Sequence, residues 1–289
     1  MRVVVAGGSG QLARAIRETW MGHELIFPPE AELDLSRREA VAGVLRELRP
    51  EVVINAAAFT QVDRCEAEEE LATLVNGTAV GWLAETCDKQ GARLVQISTD
   101  YVFDGTGTRP YRESDPVAPR CAYGRTKLLG ERAALRCRNH LVARTAWLYD
   151  AWGKNFFLTM VNAARQGREL RVVDDQRGTP TTCRALARQL QTAVEEDWRG
   201  LVHATCSGET TWHGFAAEIF RQTGIDARLS PCSTAEYPTP ACRPAYSVLD
   251  GGHRAELGTD RMPEWRAALA EVIQAWQRIE SHSRETKHG

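Results

Sequence analysis

A tyrosine and a lysine four residues apart, Tyr123 and Lys127, have the spacing in this sequence that best suits proton transfer. Residues i and i+4 lie on one face of a helix, so the ammonium group would lie beside the phenol. A nearby positive charge lowers the pKa of a tyrosine from its ordinary value of about 10. The pair could then act as a general acid and base. Because such pairs also occur by chance on solvated helices, the hypothesis needs support from the rest of the chain.

A hydroxyl-bearing segment provides some of that support. The apolar run RLVQIS (93–98) predicts a buried strand, and Ser98 and Thr99 stand at its carboxyl end. In open sheets of parallel strands, ligands bind outside these carboxyl ends. We therefore expect Ser98 and Thr99 to lie where the chemistry takes place.

A glycine-rich turn near the start of the chain predicts a dinucleotide site. In VVVAGGSGQLARAI, Gly8, Gly10 and Ala13 match the pattern G-x-G-x-x-A, and Gly7, Gly10 and Ala13 match G-x-x-G-x-x-A. Glycines let the backbone turn sharply and approach a pyrophosphate, which the helix N-terminal amides then bind. An ordinary turn between a strand and a helix is the alternative. The position of this turn, between a short β-branched strand and an amphipathic helix, favours the dinucleotide.

The choice of dinucleotide depends on the end of the second strand. An acidic residue there would bind the ribose 2′-hydroxyl and repel a 2′-phosphate. This sequence has the prolines 28–29 at that point, with Glu30 and Glu32 nearby and Arg37 and Arg38 following. The sequence therefore favours NADPH, with NADH also usable.

The elements that must hold these residues alternate between strand and helix. Apolar strand patterns at 2–6, 23–27, 52–56, 93–98 and 140–145 are separated by helix patterns. Such alternation predicts an α/β fold, a Rossmann-type doubly wound parallel sheet, with a smaller α/β substrate-binding C-terminal domain.

The domain boundary follows from a loss of this alternation after about residue 150. We expect an NAD(P)-binding domain over 1–150 and a mainly substrate-binding, discontinuous domain over 151–289. Segments near 171–198 and 241–251 are expected to return to the first domain.

Two local features complete the prediction. Ser36 is expected to begin a helix with a capping box, and 228–247, rich in Pro, Ser, Thr and Cys, is expected to be a loop.

Composition limits the partners. The chain has 289 residues, 43% of them hydrophobic, and a formal net charge of -2. A near-neutral chain lacks the positive field that gathers nucleic acid or anionic lipid, so we expect neither partner. No apolar run is long enough for a signal segment or a membrane span. We therefore expect a cytoplasmic protein whose eight cysteines are free thiols.

Several longer sequence strings indicate a resemblance to a known family. The sequence resembles the dTDP-4-dehydrorhamnose reductases, which belong to the extended short-chain dehydrogenase/reductase family. The resemblance runs in order across nearly the whole chain, and it rests on the strings VVINAAAFTQVDRCE (52–66), STDYVFDGTG (98–107), YGRTKLLGE (123–131), DDQRGTPT (174–181) and YPTPACRPAYSVLD (237–250).

This resemblance implies the last step of dTDP-rhamnose biosynthesis, which serves cell-wall polysaccharide: reduction of the C4 ketone of dTDP-4-dehydro-L-rhamnose by NADPH. It implies that Thr99 polarises the ketone, Tyr123 protonates the alkoxide and Lys127 lowers the pKa of Tyr123 and binds the nicotinamide ribose. The cofactor-binding residues that it implies, together with those of the glycine turn, are Gly7, Gly10, Gln11, Leu12, Asp34, Leu35, Ala56, Ala57, Ala58, Thr60, Tyr123 and Lys127.

Substrate contacts are implied for Ser98, Thr99, Tyr101, Trp147 and Arg243. Trp147 would pack on the deoxysugar and Arg243 would hold the diphosphate. The alternatives are packing for the aromatic residues and a structural ion pair for Arg243.

Some members of the family form dimers through Mg²⁺. The arginine-rich first helix makes that metal doubtful here and favours a monomer or a weak homodimer. Other functions remain open: a reductase of another dTDP-4-ketosugar, as in the dihydrostreptose pathway, or a non-catalytic NADP-binding regulatory homologue. A sugar-nucleotide dehydratase or epimerase shares the Tyr/Lys pair but has no support from the C-terminal strings.

Overall fold

The strands of the protein alternate with helices, and a computed structural model describes residues 1–288. In chain order the strands are β1 (Arg2–Ala6), β2 (Glu24–Ile26), β3 (Val52–Asn55), β4 (Arg93–Thr99), β5 (His140–Thr145), β6 (Leu148–Tyr149), β7 (Leu170–Val173), β8 (Arg177–Gly178), β9 (Thr181–Thr182), β10 (Gly200–His203), β11 (Thr210–Thr211) and β12 (Leu229–Cys232). The helices are α1 (Gln11–Thr19), α2 (Arg38–Leu48), α3 (Val62–Ala67), α4 (Glu69–Thr73), α5 (Ala79–Gln90), α6 (Ala122–Ala134), α7 (Phe156–Arg165), α8 (Cys183–Glu195), α9 (Trp212–Thr223), α10 (Gly252–Leu257) and α11 (Trp265–His288). A π-helical turn, Leu74–Thr78, joins α4 to α5.

The central sheet has six parallel strands in the order β10-β5-β4-β3-β1-β2. Successive strands add on opposite sides of β1, so the chain changes direction between β1 and β3. In doubly wound sheets this switch point opens a crevice at the carboxyl ends of the strands. The predicted Rossmann-type fold is confirmed.

Both faces of the sheet are buried, because successive side chains of a strand point to opposite faces. Along β1, Val3 and Val5 pack into one core, and Val4 and Ala6 pack into the other. Helices α1 and α8 cover the first face with α7, α9 and α11 beyond them, and α2 and α5 cover the second. All eight cysteines are free, as the sequence predicts.

The C-terminal half contains short paired strands that lie apart from the central sheet: β7 with β12, β8 with β11, and β6 with β9. Two of its elements pack with the first domain, and one of them is a strand of the central sheet. Helix α8 packs on α1, within the return near 171–198, and β10 pairs with β5, beyond that segment. The chain near 241–251 also bridges back, since Tyr246 pairs with Thr106 and Leu249 with Tyr111.

Two local predictions are wrong. Helix α2 begins at Arg38 and has no side-chain cap. The Ser36 hydroxyl and amide instead donate to Asp34 Oδ1, at 2.6 and 2.8 Å, so an Asx-type turn competes with the expected capping box. The expected loop over 228–247 contains β12, because Leu229–Cys232 pairs with β7 and thereby satisfies its backbone hydrogen bonds.

Candidate active site

A cleft of about 1250 Å³ lies at the carboxyl ends of the strands. Its volume exceeds the roughly 300–1,000 Å³ of a pocket for one drug-sized ligand, so it can hold a dinucleotide and a second ligand. All the residues that the sequence analysis proposed for the site line it: Gly7, Gly10, Gln11, Leu12, Asp34, Leu35, Ala56, Ala57, Ala58, Thr60, Ser98, Thr99, Tyr101, Tyr123, Lys127, Trp147 and Arg243.

The glycine turn has the geometry of an anion site. Gly7 has φ +79°, and a Cβ there would lie 2.8 Å from the backbone of Ala57. The amide of Gly10 closes the turn on the carbonyl oxygen of Gly7 at 2.9 Å. Gly10 also precedes α1 without any side-chain cap, so the first amides of the helix are left for a ligand. These residues fit a pyrophosphate.

The walls next to this turn suit the rest of a dinucleotide. Ala56, Ala57 and Ala58 follow β3 and leave room for a cofactor close to the backbone. Asp34 and Leu35 lie beyond the end of β2, where two hydrogen bonds from Ser36 lower the pKa of the Asp34 carboxyl. The cleft therefore has an adenosine end near β2 and a reactive end near β4.

The reactive end is built by β4 and α6. Thr99 ends β4, and its hydroxyl donates to Asp100 Oδ1 at 3.0 Å and accepts the Tyr101 amide at 3.2 Å. Tyr123 and Lys127 are one turn apart on α6 and both face the cleft. Lys127 is buried, and its Nζ donates to the carbonyl oxygen of Ile97 at 2.6 Å.

Burial sets the proton affinities of this end. Removal from water raises the pKa of Tyr123, although a hydrogen bond with Thr99 opposes the shift. The pKa of Tyr123 therefore lies above its ordinary value, whereas the sequence analysis expected a value lowered by Lys127. Burial also lowers the pKa of Lys127 to about 8, with Glu131 acting in the opposite direction, and raises the pKa of Asp100 to about 6. Both groups titrate close to neutral pH.

Ser98 faces a buried charge network beside the cleft. Its hydroxyl donates to Glu131 Oε2 at 2.9 Å, and Glu131 forms a two-pronged ion pair with Arg144. Arg144 in turn contacts His203, whose pKa is lowered to about 3 mainly by burial. The network ties the ends of β4, β5 and β10 to α6, so Ser98 is engaged with protein groups as well as lining the cleft.

Two stacked tryptophans form the wall at the far side. The rings of Trp147 and Trp212 lie 3.6 Å apart at 8°, and both line the cleft. Trp147 has φ +47°, a strained conformation for a large side chain. Its ring packs so closely on Gly178 that a Cβ at that position would lie only 2.5 Å from a ring atom. The half-buried Trp147 is therefore fixed by packing and still presents surface to a ligand.

Arg243 makes the ion pair that the sequence analysis left as an alternative. Its Nη2 lies 2.8 Å from Asp63 Oδ2, and Asp63 Oδ1 also accepts the amide of Ala241. The guanidinium still lines the cleft beside Tyr101, which packs edge-on against Tyr123 at 5.5 Å. Asp63 thus holds the 241–243 segment over the reactive end.

Sequence reasoning missed several residues of the site. Asn76, in the π-helical turn, binds both the amide and the carbonyl of Phe59 and the hydroxyl of Thr126, so it joins α6 to the loop after β3. Trp212, Lys154 and Arg17 also line the cleft. Trp212 lies in the string TTWHGFA (210–216), which also resembles the family, whereas the other residues carry no motif.

The residues near α1 do not fit the Mg²⁺ that the resemblance implies for some members of the family. Glu18 accepts ion pairs from Arg14 and Arg184, so its charge is already balanced by arginines. Within residues that the structure describes, no group of three or more His, Cys, Asp or Glu side chains could hold a metal ion. The described helices also include none that is both long and apolar enough to cross a membrane.

A parallel sheet with a glycine turn at its switch point, and a Tyr/Lys pair facing a hydroxyl at the end of β4, define a nicotinamide-dependent oxidoreductase of the extended short-chain dehydrogenase/reductase class. Comparison with known proteins narrows the class. A model of the RmlD substrate binding domain matches residues 1–278, and the chain belongs to this family.

Individual relatives match nearly the whole chain. A dTDP-4-dehydrorhamnose reductase of Streptomyces griseus is 42% identical over 284 residues, 95% of this chain and 93% of the relative. A probable dTDP-4,6-dihydroxy-2-methyloxan-3-one 4-ketoreductase of Streptomyces antibioticus is 41% identical over 281 residues, 94% and 95% of the two chains. A dTDP-4-dehydrorhamnose reductase of Bacillus anthracis, solved in complex with NADP, superposes with a TM-score of 0.93 at 32% identity over 95% of this chain and 99% of that one.

Proposed function

We propose that this protein is an NADPH-dependent reductase that converts dTDP-4-dehydro-L-rhamnose to dTDP-L-rhamnose, the last step in making this activated sugar. The observation that carries the proposal is the placement of Thr99, Tyr123 and Lys127 at the reactive end of a cleft that begins at an uncapped glycine turn. The choice of substrate rests on the family, whose members include named dTDP-4-dehydrorhamnose reductases.

The roles of the site residues follow from their chemistry. Bound NADPH supplies a hydride to the C4 carbonyl carbon. Tyr123 holds its proton at neutral pH, because burial raises its pKa, and donates it to the oxygen on which negative charge develops. The Thr99 hydroxyl, now donating to Asp100, turns toward that oxygen and stabilises its charge. Lys127 binds the nicotinamide ribose through the ammonium protons that Ile97 does not use.

Two walls of the cleft select the sugar nucleotide in this proposal. Trp147 and its stacking partner Trp212 offer an apolar face to the C–H and methyl groups of a deoxysugar. Arg243 is hydrogen-bonded to Asp63 through Nη2 and to the Tyr101 side chain, and it binds a diphosphate oxygen with the guanidinium donors that these two partners leave free. Ser98 and Tyr101 complete the substrate end.

We further propose that the domains divide by ligand. Residues 1–150, with the returns near 171–198 and 241–251 and strand β10, hold the cofactor, and most of the remaining chain holds the sugar. A cytoplasmic location is proposed because a reductase of this kind needs the nucleotide sugar and NADPH in one compartment. A monomer or weak homodimer stays a prediction.

Coupled turnover tests the function. The substrate is generated from dTDP-glucose with a 4,6-dehydratase and an epimerase, and the loss of NADPH absorbance is followed together with the identity of the sugar product. Formation of dTDP-rhamnose is the expected result. Absence of NADPH oxidation with the confirmed substrate present contradicts the proposal, with the Tyr123→Phe variant as the background control.

A second candidate is reduction of a different dTDP-ketosugar. It is favoured by the 41% identity to the probable 4-ketoreductase of Streptomyces antibioticus, nearly as high as the identity to the Streptomyces griseus reductase. A pocket distinguishes small changes in a sugar by about 10- to 200-fold, so both ketosugars must be compared by kcat/KM in one experiment. A non-catalytic NADP-binding regulatory homologue, the remaining alternative, would show cofactor binding without turnover of either.

A further inference from the structure

The adenosine end of the cleft carries a basic side chain that the proposed roles do not use. Arg17 lies on α1, seven residues after Gly10, which is about two helical turns and therefore the same face of the helix. Its guanidinium lies over the ring of Phe27, 4.0 Å from the ring centroid, and both residues line the cleft. Phe27 directly follows β2, the strand whose end receives the adenosine ribose in this type of fold.

The charge of Arg17 is available to a ligand. The side chain is exposed, and within the described residues it forms no ion pair, whereas Arg14 on the same helix is paired with Glu18. The two arginines that follow β2 in the sequence, Arg37 and Arg38, lie elsewhere, as expected for solvated helix residues. Arg38 pairs with Glu85, and neither Arg37 nor Arg38 is among the cleft-lining residues.

We propose that Arg17 binds the 2′-phosphate of the cofactor and is the residue that sets a preference for NADPH over NADH. The inference rests on the nicotinamide cofactor of the proposed function. A guanidinium presents paired N–H donors that match phosphate oxygens, and stacking on Phe27 orients it in advance. Two acids line this end of the cleft. Asp34 accepts hydrogen bonds from Ser36, and Glu30 lies four residues beyond the end of β2; both oppose the preference, and neither pairs with Arg17.

Binding measurements on the full-length protein test this without turnover. Dissociation constants for NADPH, NADH, adenosine 2′,5′-bisphosphate and adenosine 5′-monophosphate are measured by calorimetry for the wild type and for Arg17→Ala. A charge-assisted contact of this kind is worth about 10- to 100-fold in affinity. We expect that loss for the two ligands with a 2′-phosphate and less than about 3-fold for the other two. Arg14→Ala, on the same helix but outside the cleft, is the matched control and should bind all four normally.

The other outcomes overturn the proposal. Equal losses for NADPH and NADH would mean that Arg17 packs on the adenine, and unchanged binding of all four ligands would mean that it contacts none of them. A Glu30→Gln variant that weakens only NADH, with Arg17→Ala silent, would assign the ribose to Glu30. These binding measurements do not use the sugar-nucleotide substrate. A failed turnover assay together with a clear preference for the 2′-phosphate would therefore contradict the proposed substrate and leave this inference standing.

Discussion

The buried ammonium group of Lys127 donates a hydrogen bond to the main-chain carbonyl oxygen of Ile97, with an Nζ–O distance of 2.6 Å. This bond joins the middle of α6 to the carboxyl end of β4, two residues before Thr99. It therefore fixes the ammonium at the height of the reactive hydroxyls. Burial lowers the pKa of Lys127 to about 8, so the anchored group changes charge within the working range of an enzyme.

The pH dependence of catalysis should follow from this shift. The charged form of Lys127 is the one that donates to the nicotinamide ribose in the proposed mechanism, and its fraction falls as the pH rises through about 8. We expect kcat/KM, which reports the free enzyme, to decline about tenfold per pH unit above that point. A pH–rate profile between about pH 6 and 10 measures it.

Lys127→Arg provides the control, because a guanidinium stays charged over this whole range. Its activity should be lower, since the longer planar group cannot reproduce the bond to Ile97, but the alkaline decline should move to higher pH. An unchanged decline would assign the titration to another group.

Removal of the Tyr123 hydroxyl should separate chemistry from binding. Tyr123→Phe keeps the ring that packs against Tyr101 but removes the proton donor, so kcat is expected to fall by about 10²- to 10⁴-fold. The dissociation constant for NADPH should change by less than about 3-fold. Steady-state kinetics and cofactor titration measure the two effects. Tyr237→Phe, at an exposed tyrosine outside the cleft, is the matched control, and a near-normal kcat in Tyr123→Phe would remove Tyr123 from the mechanism.

The sheet and the reactive end could be predicted because their signals are local. Short β-branched runs fixed five of the six central strands to within about two residues, and the i, i+4 spacing placed Tyr123 and Lys127 on one face of α6. The glycine pattern placed the turn at the switch point. Each of these inferences needs only a few neighbouring residues.

The remaining features depend on contacts between distant segments. Asn76 reaches Phe59 and Thr126, and Arg243 pairs with Asp63 across 180 positions of the chain. Strand β10 lacked a sequence signal as part of the main sheet, since a four-residue strand shows little periodicity. The charge of Arg17 could not be distinguished from that of a solvated helix residue until Phe27 was placed beneath it.

The glycine turn offers a test of backbone strain against steric clash. Gly7→Ala must take φ +79°, and its new Cβ would meet the Ala57 backbone at 2.8 Å. Gly22→Ala takes a nearly equal φ of +77°, but nothing lies within 4 Å of its Cβ. Left-handed conformation alone costs about 1–2 kcal/mol, so Gly22→Ala should lose that much in urea unfolding and bind NADPH normally. Gly7→Ala should lose more and should bind NADPH at least about tenfold more weakly. Equal stabilities and equal affinities would show that the clash is relieved elsewhere.

The buried pair of Arg144 and Glu131 should dominate the stability of the reactive end. Both side chains are about 2% exposed, and Glu131 is held by Arg144 Nη2 at 2.5 Å and Nε at 3.0 Å and by the Ser98 hydroxyl. Arg144→Leu leaves the carboxylate buried without its counter-charge, which costs about 3–5 kcal/mol in the free energy of unfolding. Urea denaturation measures the loss.

The double variant Arg144→Leu/Glu131→Gln distinguishes an unpaired charge from lost packing. Because the amide carries no charge and can still accept from Ser98, the double variant should recover part of the stability that Arg144→Leu loses. The surface pair of Arg228 and Glu169, at a similar distance of 2.8 Å but with both side chains mostly exposed, is the matched control. Arg228→Leu should show little or none of the loss, because water screens such pairs. A double variant no more stable than Arg144→Leu would mean that packing around Phe103 and His203, which Arg144 also contacts, carries the energy instead of the charge.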